Sequence, residues 1–591
     1  MRSYRARLVL VGLLLVVALT GCDLRLDKTP KLQSDWSRGV RLGVSAWNQP
    51  AALQVEPNGE RVHVVWFASS TGGMNPHYVQ LDEQAQVLVD RTIEVTVLLP
   101  KEPRLLRDAA GNLHLFVRAN RRAEEPDGVV YLLLSPQGAL QGEPLLLSSQ
   151  GQEVSSFEAV LNQAGQLDVF WSLVQGTGAD LYHLRLDCQG RPIAPARLLV
   201  SGAHDPTARV AEDGTLHLAW LRKPDSIRRE LYYAAFPQAA VAPVAGSKIT
   251  DYSGGMGAVL YKPVLGLDSR HVYVFWASYA MAGVSAGTAA SSYVTFPLGQ
   301  PAYQQPLPIA LPPAGTPAYM PYQGPYGYRQ LAYPATGPRM VGSEVLFWPA
   351  PLPGQKSELP VLFGEQVYFR FKGETQPVLA VFAEGQLRGY QVIARSPDLA
   401  IYPAAVADTT GNLHTIWLNS ASQGFEVYYT STSPLVKARL DRTEAKDYEV
   451  RAVNLAWGML SGLVLIALLP VIFLPALAWL LLYHLFGGSD ALRERSAWLA
   501  LGVAIVLYLG AKALIFGAFL PPLSLVALVP ARFASLATWG LLLGIAALAC
   551  LAVYLYNRRK EGAPVFFAAI IFVLVDALLT MLTYGPSIIG G

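Results

Sequence analysis

One short phrase recurs along the chain and constrains its fold more than any other feature. In the copy that ends at Trp417, a glycine is followed by alternating apolar and polar residues and then by the large aromatic side chain. Six further segments align on it, so that the seven aligned positions are Trp66, Val117, Trp171, Trp220, Trp276, Trp348 and Trp417. The first four intervals measure 49 to 56 residues, and the last two measure 72 and 69 residues. A period of this size predicts seven copies of one supersecondary unit.

Each unit has the features of β structure. An Asp or Asn lies three residues before the glycine in several copies, as in Asp108 with Gly111 and Asp408 with Gly411. Short polar residues and glycine adopt the backbone conformations that a tight hairpin requires. The alternation after the turn is typical of a strand with two different faces. Four strands fit into about 50 residues, and repeats of that length with a recurring tryptophan resemble β-propeller blades.

The sequence therefore predicts an all-β propeller of about seven blades over residues 36–436. The repeat resembles that of sialidase-like propellers, whose blades carry an Asp-box with an Asp, a Gly and an aromatic residue at short spacing. Most copies here lack the Ser or Thr of that box, and the chain has no Arg-Ile-Pro triplet of the kind that opens the active site of that family. The resemblance implies the propeller architecture, and it does not extend to sialidase activity.

The histidine of the phrase is a candidate metal ligand or catalytic base. The equivalent positions, three residues before each aligned residue, are His63, His114, Asp168, His217, Tyr273, Val345 and His414. Equivalent positions lie on different blades, and a set of metal ligands does not tolerate valine and tyrosine. We therefore interpret these residues as packed strand positions and predict neither a metal site nor a cofactor. The tryptophans are likewise interpreted as packing between blades.

A proline- and tyrosine-rich insert at residues 299–338 interrupts the repeat. Because proline removes a backbone donor and favours extended conformations, we expect a loop here and not a regular ladder. Tyrosine combines an aromatic face with a hydroxyl group and is common where proteins touch partners. The insert is either a partner-binding loop or a tolerated insertion. The candidate binding residues are Tyr303, Tyr319, Tyr322, Tyr326, Tyr328 and Tyr333.

The C-terminal quarter of the chain has the composition of a membrane domain. Charged residues make up 15% of the chain, against about 25% in a typical soluble domain, and they are nearly absent from four apolar segments. A helix of about 20 apolar residues crosses a bilayer core. After a juxtamembrane linker at 437–451, the sequence predicts an α-helical bundle of four transmembrane helices at 452–486, 497–520, 535–556 and 565–585.

The N-terminus carries a second membrane signal. Basic residues precede an apolar run from Leu8 to Leu19, which is the layout of a secretory signal peptide. The residues that follow complete the sequence Leu-Thr-Gly-Cys, which resembles the lipobox of bacterial lipoproteins. That resemblance implies a signal peptide at 1–21, lipidation of Cys22 and a linker at 22–35. The alternative is an uncleaved signal anchor in which the cysteine is incidental.

The basic residues of the short loops between the predicted helices indicate an orientation. The loops at 487–496 and 557–562 contain five lysines and arginines, whereas the loop at 519–534 contains only Arg532. Lys and Arg favour the cytoplasmic side of a membrane. The sequence therefore predicts a bacterial cytoplasmic-membrane protein, lipid-anchored and multi-pass, with its propeller outside the cytoplasm. With three cysteines in the chain, we predict no disulfide framework.

Two charged residues lie inside the predicted membrane spans. Lys512 belongs to the second span and Asp576 to the fourth, and both lie slightly to the outer side of the midpoint. Ionisable groups in hydrocarbon cost at least about 2.5 kcal/mol each and are usually paired or face a cavity. An intramembrane ion pair between Lys512 and Asp576 is the leading interpretation. A proton or ion path through Asp576 and pairing with another subunit are the alternatives.

Three classes of function stay open. In the first, the propeller binds a membrane-protein partner or a cell-surface glycan, and the helices hold it in the lipid bilayer. In the second, the chain is a sialidase-like glycoside hydrolase, for which Glu124, Glu125, Asp127 and Asp251 are candidate carboxylates. In the third, the propeller is the receptor part of a small transporter or sensor. The chain has no recognisable catalytic motif and a net charge of only +3, so the first class is preferred and nucleic acid is not proposed.

Overall fold

The structure, a computed structural model, describes residues 28–588 except 282–288, 310–328, 331–345, 453–468, 518–533 and shorter gaps of one to four residues. The chain divides into two compact units. The first spans residues 27–442, and the second includes the residues from 443 onward. Cys22 lies outside the described residues, so its lipidation stays a prediction.

The first unit contains seven antiparallel sheets in the described part of the chain, and each sheet is one propeller blade. The N-terminal strand β1 (Val40–Ser45) belongs to the last blade. The first blade consists of β2 (Ala52–Val55), β3 (Arg61–Ser70), β4 (Gly73–Asp82) and β5 (Val87–Thr92), and the second of β6 (Leu98–Arg107), β7 (Leu113–Asn120), β8 (Gly128–Leu134) and β9 (Leu145–Leu146). The third blade consists of β10 (Val154–Leu161), β11 (Leu167–Gln175), β12 (Gly178–Leu186) and β13 (Arg197–Val200).

The remaining four blades follow in chain order. The fourth blade consists of β14 (His204–Val210), β15 (Leu216–Arg222), β16 (Arg228–Phe236) and β17 (Ser247–Ser253), and the fifth of β18 (Ala258–Leu260), β19 (Val264–Leu267), β20 (His271–Ala280), β21 (Ala289–Pro297) and β22 (Leu307–Ile309). The sixth blade consists of β23 (Arg329–Gln330), β24 (Leu346–Pro351), β25 (Leu359–Phe369), β26 (Lys372–Ala383) and β27 (Gln386–Val392). The seventh consists of β28 (Ala400–Ala407), β29 (Leu413–Ala421) and β30 (Gly424–Ser431), and β1 completes it. The seven-bladed architecture predicted from the repeat is confirmed.

The two ends of the propeller close the ring on each other. Strand β1 pairs with β30, so the N-terminal segment supplies the outermost strand of the seventh blade. The innermost strands β28 and β2 contact each other, which joins the last blade to the first. Gly39 packs so tightly on the Trp417 indole that a Cβ atom at this glycine would lie 2.7 Å from the ring. Because the ring of blades is closed, only short, protected sheet edges remain.

The Asp-Gly turns of the repeat are stabilised by their own side chains. The Asp408 carboxylate accepts a hydrogen bond of 2.8 Å from the backbone N–H of Asn412, and Gly411 has a φ of +89°. The turn at Asp108 repeats this geometry, with the Asn112 N–H at 2.8 Å from the carboxylate. A side chain that caps its own turn, followed by glycine at positive φ, explains why this spacing recurs.

The histidines of the repeat are buried strand residues, as predicted. His414 is 2% exposed, and its Nδ1 is joined to the Tyr429 hydroxyl by a hydrogen bond of 2.7 Å. The same pair recurs on other blades, as His63 with Tyr78, His114 with Tyr131 and His217 with Tyr233. Burial lowers the pKa of His63 and His217 to about 4, so both imidazoles are neutral at pH 7. A neutral imidazole and a phenol satisfy each other inside the sheet.

Part of the proline-rich insert forms regular structure, and the expectation of a loop throughout was wrong. Leu307–Ile309 is the outermost strand of the fifth blade and pairs with β21, with Tyr293 opposite Leu307. Pro308 is tolerated here because an outermost strand has one side that needs no backbone donor. Tyr303 lies just before this strand and is 48% exposed.

The second unit is helical. A short helix α1 (Pro434–Leu440) ends the first unit, and the second contains α2 (Leu469–Leu485), α3 (Arg495–Gly517), α4 (Ala534–Arg559) and α5 (Val565–Ile588) in the described residues. Of these, α3, α4 and α5 are long and apolar enough to cross a membrane, and α2 is a shorter apolar helix. The fold class is confirmed, since three long helices and a shorter one agree with the predicted α-helical bundle.

The loops that connect the helices in pairs lie together at one end of the bundle. The backbone N–H of Leu492 donates to the Ala563 carbonyl at 3.1 Å, and the N–H of Val565 donates to the Asp490 carbonyl at 2.8 Å. These hydrogen bonds join the connection between α2 and α3 to the connection between α4 and α5. The two loops that carry most of the basic residues are therefore neighbours.

Candidate functional site

A central cavity lies where the innermost strands of the seven blades meet. Its volume is about 640 Å³, and pockets that bind small ligands measure about 300–1,000 Å³. The side chains that line it come from every blade, and they include Gln49, Glu102, Arg104, Glu158, Asp205, Arg209, Lys223, Tyr261, Lys262, Trp348 and Tyr402. This cavity is the candidate functional site, because chemically different side chains converge there from distant parts of the chain.

Six of the blades place a residue followed by proline at the wall of this cavity. The six residues that precede the prolines and line the cavity are Gln49, Glu102, Asp205, Lys262, Trp348 and Tyr402. In the third blade Ser156 takes the equivalent place, and its hydroxyl accepts a hydrogen bond of 3.1 Å from the Asp205 backbone N–H. By strand register, Ser156 and five of the six residues share one structural position, whose side chain differs each time, as expected of a site assembled from a repeat. Gln49 lies one residue before that position in the first blade.

Four of these residues have an unusual backbone conformation. The φ angles of Glu102, Asp205, Trp348 and Tyr402 lie between +49° and +54°. Residues with a Cβ atom seldom adopt such angles, and a residue ahead of proline is ordinarily extended. The strand pairing shifts at each of these points, which marks β-bulges. Bulges redirect side chains and are common next to functional sites. Each residue at positive φ adds about 1–3 kcal/mol of backbone strain, which the packing of the surrounding blades offsets.

Charged side chains from blades two to five form one half of the cavity wall. The Arg104 guanidinium donates from Nε to the Glu158 carboxylate at 2.8 Å. Lys262 approaches the same carboxylate at 3.8 Å and the Glu102 carboxylate at 3.7 Å. Lys223 lies 3.2 Å from Asp205. We call these residues, together with Arg209, the charged half of the cavity.

The ion pairs set the protonation of the charged half. Burial alone would raise the pKa of Glu158, but Arg104 and Lys262 lower it to about 2. Glu158 in turn raises the pKa of Arg104 against the opposing effect of burial. Behind this pair, Arg118 holds Glu102 at 3.0 Å and Asp127 at 2.8 Å. Glu158 is therefore ionised at neutral pH, and ion pairs hold both Glu158 and Glu102 in place.

Aromatic side chains from blades five to seven form the other half of the wall. The Trp348 ring lies 4.9 Å from the Tyr402 ring and 5.0 Å from the Phe347 ring, measured between centroids. Phe347 in turn meets the Tyr261 ring edge-on at 6.2 Å. We call Tyr261, Trp348 and Tyr402 the aromatic half of the cavity. It offers flat apolar surface in the same cavity as the charged half.

The alignment of Trp348 with the repeat was wrong. The aligned residues of the other six blades lie on the second strand of each sheet, on β3, β7, β11, β15, β20 and β29, whereas Trp348 lies on the innermost strand β24. The second strand of the sixth blade is β25, and Phe363 takes the aligned position, 15 residues after Trp348 as Trp417 is after Tyr402. Because the long insert precedes this blade, spacing alone did not fix the register. Val345 lies outside the described residues and is not an equivalent of His414.

The other tryptophans of the repeat do not reach the cavity. Trp417 stacks on Tyr428, its direct cross-strand neighbour, with ring centroids 5.6 Å apart. Trp171 with Tyr182 and Trp220 with Tyr232 repeat the arrangement. Trp417 also belongs to a core cluster with residues of the sixth blade, such as Leu362. These tryptophans pack within and between blades, as predicted.

The remaining candidates from the sequence lie apart from the cavity or outside the described residues. Asp127 is paired with Lys101 and Arg118, and Asp251 is paired with Lys248 and Arg228. Glu124 and Glu125 lie in the same loop as Asp127, and none of the four carboxylates lines the cavity. Of the tyrosines of the insert, only Tyr303 is described, with the Lys248 ammonium 6.0 Å from its ring centre. The other five, Tyr319, Tyr322, Tyr326, Tyr328 and Tyr333, lie outside the described residues.

The structure brings Lys512 and Asp576 together in the helical unit. The Lys512 ammonium lies 2.6 Å from the Asp576 carboxylate and 2.7 Å from the Thr580 hydroxyl. The Tyr508 hydroxyl donates to the same carboxylate oxygen at 2.9 Å. Asp576 is 0% and Lys512 is 6% exposed. This polar cluster joins α3 to α5 inside an otherwise apolar bundle.

Sequence reasoning missed the residues of the cavity, although a signal for them exists. In six blades a proline directly follows a cavity-lining residue and lies 13 to 16 residues before the aligned position of the second strand. Searching the repeat for proline, in addition to tryptophan, would have located the innermost strands. The side chains at the shared position vary from Asp and Lys to Trp, so a search for one recurring functional residue type could not find them.

No protein-family model matches the chain, and no curated protein matches it. Among solved structures, the chain is similar to the polysaccharide lyase Uly1, with a TM-score of 0.42 and 8% identity over 66% of this chain and 90% of that one. It is also similar to an ulvan lyase from a new polysaccharide lyase family, with a TM-score of 0.42 and 11% identity over 66% and 94% of the two chains. A third similar structure is an endo-arabinase from Bacteroides thetaiotaomicron, with a TM-score of 0.28 and 13% identity over 46% and 97%. Similarities of this size assign neither an activity nor a substrate to this chain.

Proposed function

We propose that the chain is a membrane-anchored binding protein whose propeller holds a segment of a glycan in its central cavity, outside the cytoplasm. The observation that carries this proposal is the shared position before proline, where five blades present five different side chains to one cavity. A scaffold needs no such variety at a repeated position. Ligand recognition does, because it requires polar groups and apolar surface at defined places.

The two halves of the cavity suit a sugar chain. The aromatic half offers ring faces against which the apolar faces of sugars can pack, and the charged half offers donors and acceptors for hydroxyl groups. A cavity of about 640 Å³ has room for a few sugar rings, whereas a folded protein domain is far too large to enter. The shape therefore favours a glycan over a globular protein partner.

The state of the cavity carboxylates favours binding over hydrolysis. Glycosidases generally use two carboxyl groups, of which one acts as an acid with a raised pKa. In this cavity Glu158 has a pKa lowered to about 2, which is the opposite of what a general acid needs. Glu102 and Asp205 are held by Arg118 and Lys223. Each described carboxylate that lines the cavity has a cationic partner that holds it in place, which supports binding over acid catalysis.

The anchoring part of the proposal rests on the predicted lipidation of Cys22 and on the apolar helices. The two ends of the propeller unit are neighbours, because the Asp441 carboxylate accepts a hydrogen bond of 2.9 Å from the Arg38 backbone N–H and also pairs with Lys31. The chain therefore enters and leaves the propeller at one corner. This arrangement supports a propeller tethered by two membrane attachments that start close together.

A binding experiment on the full-length chain in lipid nanodiscs tests the proposal. The protein is applied to an array of polysaccharide fragments and cell-envelope glycans, and Ala404→Trp is compared with the wild type. Ala404 lines the cavity, so the added indole should fill it and abolish retention. The matched control is Ala290→Trp, at an exposed position on β21, which should bind like the wild type. Equal binding by both variants, or no glycan binding by the wild type, would refute a glycan site in the cavity.

A further inference from the structure

We propose that the ligand of the cavity carries a carboxylate, and that the guanidinium of Arg209 binds it. This inference deepens the proposed function, on which it rests, by naming the chemical class of the glycan: an acidic one. It is carried by the balance of charges in the cavity and by the environment of a single arginine.

Cations outnumber carboxylates among the described residues of the cavity wall. The basic residues are Arg104, Arg209, Lys223 and Lys262, and the acidic ones are Glu102, Glu158 and Asp205. Arg104 and Lys262 pair with Glu158, and Lys223 pairs with Asp205. Arg209 has no carboxylate within ion-pair distance in the described part of the chain. One positive charge of the wall is therefore uncompensated.

The hydrogen bonds of Arg209 are equally incomplete. Its Nη1 donates to the adjacent Ala208 carbonyl at 3.3 Å, which is a long bond, and its Nε has no partner among the described residues. Burial lowers the pKa of Arg209, although nearby Glu158 acts in the opposite direction. A guanidinium carries five N–H donors, and leaving a buried one such as the Nε–H of Arg209 without a partner is costly. An anion from the ligand would satisfy both the charge and the donors.

A carboxylate fits this guanidinium better than a hydroxyl group does. The planar fork of arginine matches the two oxygens of a carboxylate, and such paired hydrogen bonds are stronger than those between neutral groups. Strand β14, which carries Arg209, contacts β19 of the next blade, and that blade also provides Tyr261 to the wall. Adjacent blades thus provide a cation for the carboxylate of an acidic sugar and an aromatic ring for the apolar face of the sugar. A free inorganic anion would make no use of the aromatic half.

The test compares glycans that differ only in their carboxyl groups. Full-length protein in nanodiscs is titrated with uronate-containing oligosaccharides and with the same oligosaccharides after reduction of the carboxyl groups to alcohols. We expect the wild type to prefer the acidic forms and Arg209→Gln to bind them roughly tenfold to hundredfold more weakly, as befits loss of a hydrogen-bonded charge. Binding of the reduced forms should change little. Arg91→Gln, at an exposed position on β5, is the matched control and should bind like the wild type.

The outcomes separate this inference from the proposed function. Equal affinity for acidic and reduced forms, unaffected by Arg209→Gln, would overturn the role of Arg209 and leave a neutral-glycan site intact. Binding of neither form would overturn both. Displacement of the bound oligosaccharide by millimolar phosphate or acetate alone would point to a free anion and also overturn the inference. If Arg209→Gln does not fold, Arg209→Lys, which keeps the charge but lacks the fork, should still bind the acidic form more weakly than the wild type.

Discussion

The rings of Trp348 and Tyr402 lie against each other with their centroids 4.9 Å apart, although the two residues belong to different blades. Both residues precede a proline, both have a positive φ, and both line the central cavity. The sixth and seventh blades thus hold two aromatic side chains in the same uncommon backbone conformation at one place. This is the relationship from which the proposed binding function can be tested most directly.

Replacing the indole should weaken ligand binding. Trp348→Ala removes the largest apolar surface of the aromatic half, so we expect affinity for a bound oligosaccharide to fall at least about tenfold, or about 1.4 kcal/mol. Trp348→Phe keeps a ring at the same place and should lose less. Isothermal titration of the full-length chain measures both. Binding unchanged in Trp348→Ala would remove the aromatic half from the site.

The pairing of histidine with tyrosine should contribute to stability and not to binding. Tyr429→Phe removes only the hydroxyl that bonds the His414 imidazole at 2.7 Å and leaves a buried nitrogen without a partner. We expect the free energy of unfolding to fall by about 1–3 kcal/mol. Urea denaturation followed by tryptophan fluorescence measures the change. The matched control is Tyr303→Phe. Because the Tyr303 side chain is 48% exposed, loss of its hydroxyl should change stability little.

The same histidines predict how stability depends on pH. His63 and His217 have pKa values lowered by burial to about 4 in the folded protein, whereas the value for an unfolded histidine is 6.5. Between these values the unfolded state binds more protons, so stability is lost as the pH falls from 6.5 towards 4. Each histidine can contribute up to about 3 kcal/mol of this loss.

Denaturation curves between pH 7 and pH 4.5 test the assignment to histidine. Protonation of Glu158 destabilises the fold only below pH 4.5, because its pKa in the folded state is lowered from the ordinary value of 4.5 to about 2. His217→Gln, which cannot titrate, should therefore flatten the dependence in this window. A slope that is the same in the variant and the wild type would show that other groups are responsible.

The repeat predicted the blades, the turns and the buried histidines because each follows from local chemistry. A capped Asp-Gly turn and an alternating strand need few contacts beyond their own blade, so their pattern survives in the sequence. The cavity depends instead on which strand lies at the centre of the ring. Trp348 shows the difference: its neighbours in the sequence resemble the phrase of the second strand, whereas sheet pairing places it on the innermost strand. Only the fold brings it beside Tyr402.

The cluster in the helical unit can be tested by a double-mutant cycle. Lys512→Met leaves the Asp576 carboxylate without its cation, and Asp576→Leu does the reverse, so each should destabilise the unit by about 3–5 kcal/mol. The double variant replaces both charges by apolar groups and should recover much of the loss. Thermal unfolding in detergent follows the change, with Lys560→Met, beyond the end of α4, as the control. If the losses simply add, the two residues do not act as a pair.

The predicted orientation in the membrane can be tested by labelling cysteines other than Cys22, the predicted lipidation site. Cys188 is exposed on the propeller, so a membrane-impermeant maleimide should label it on spheroplasts without permeabilisation. In a Cys188→Ser background, Lys560→Cys places a thiol in the basic loop between α4 and α5, where the abundance of Lys and Arg predicts the cytoplasmic side. That thiol should react only after the membrane is permeabilised. The reverse pattern would place the propeller in the cytoplasm, where the predicted lipidation of Cys22 and a glycan ligand outside the cell would both be untenable.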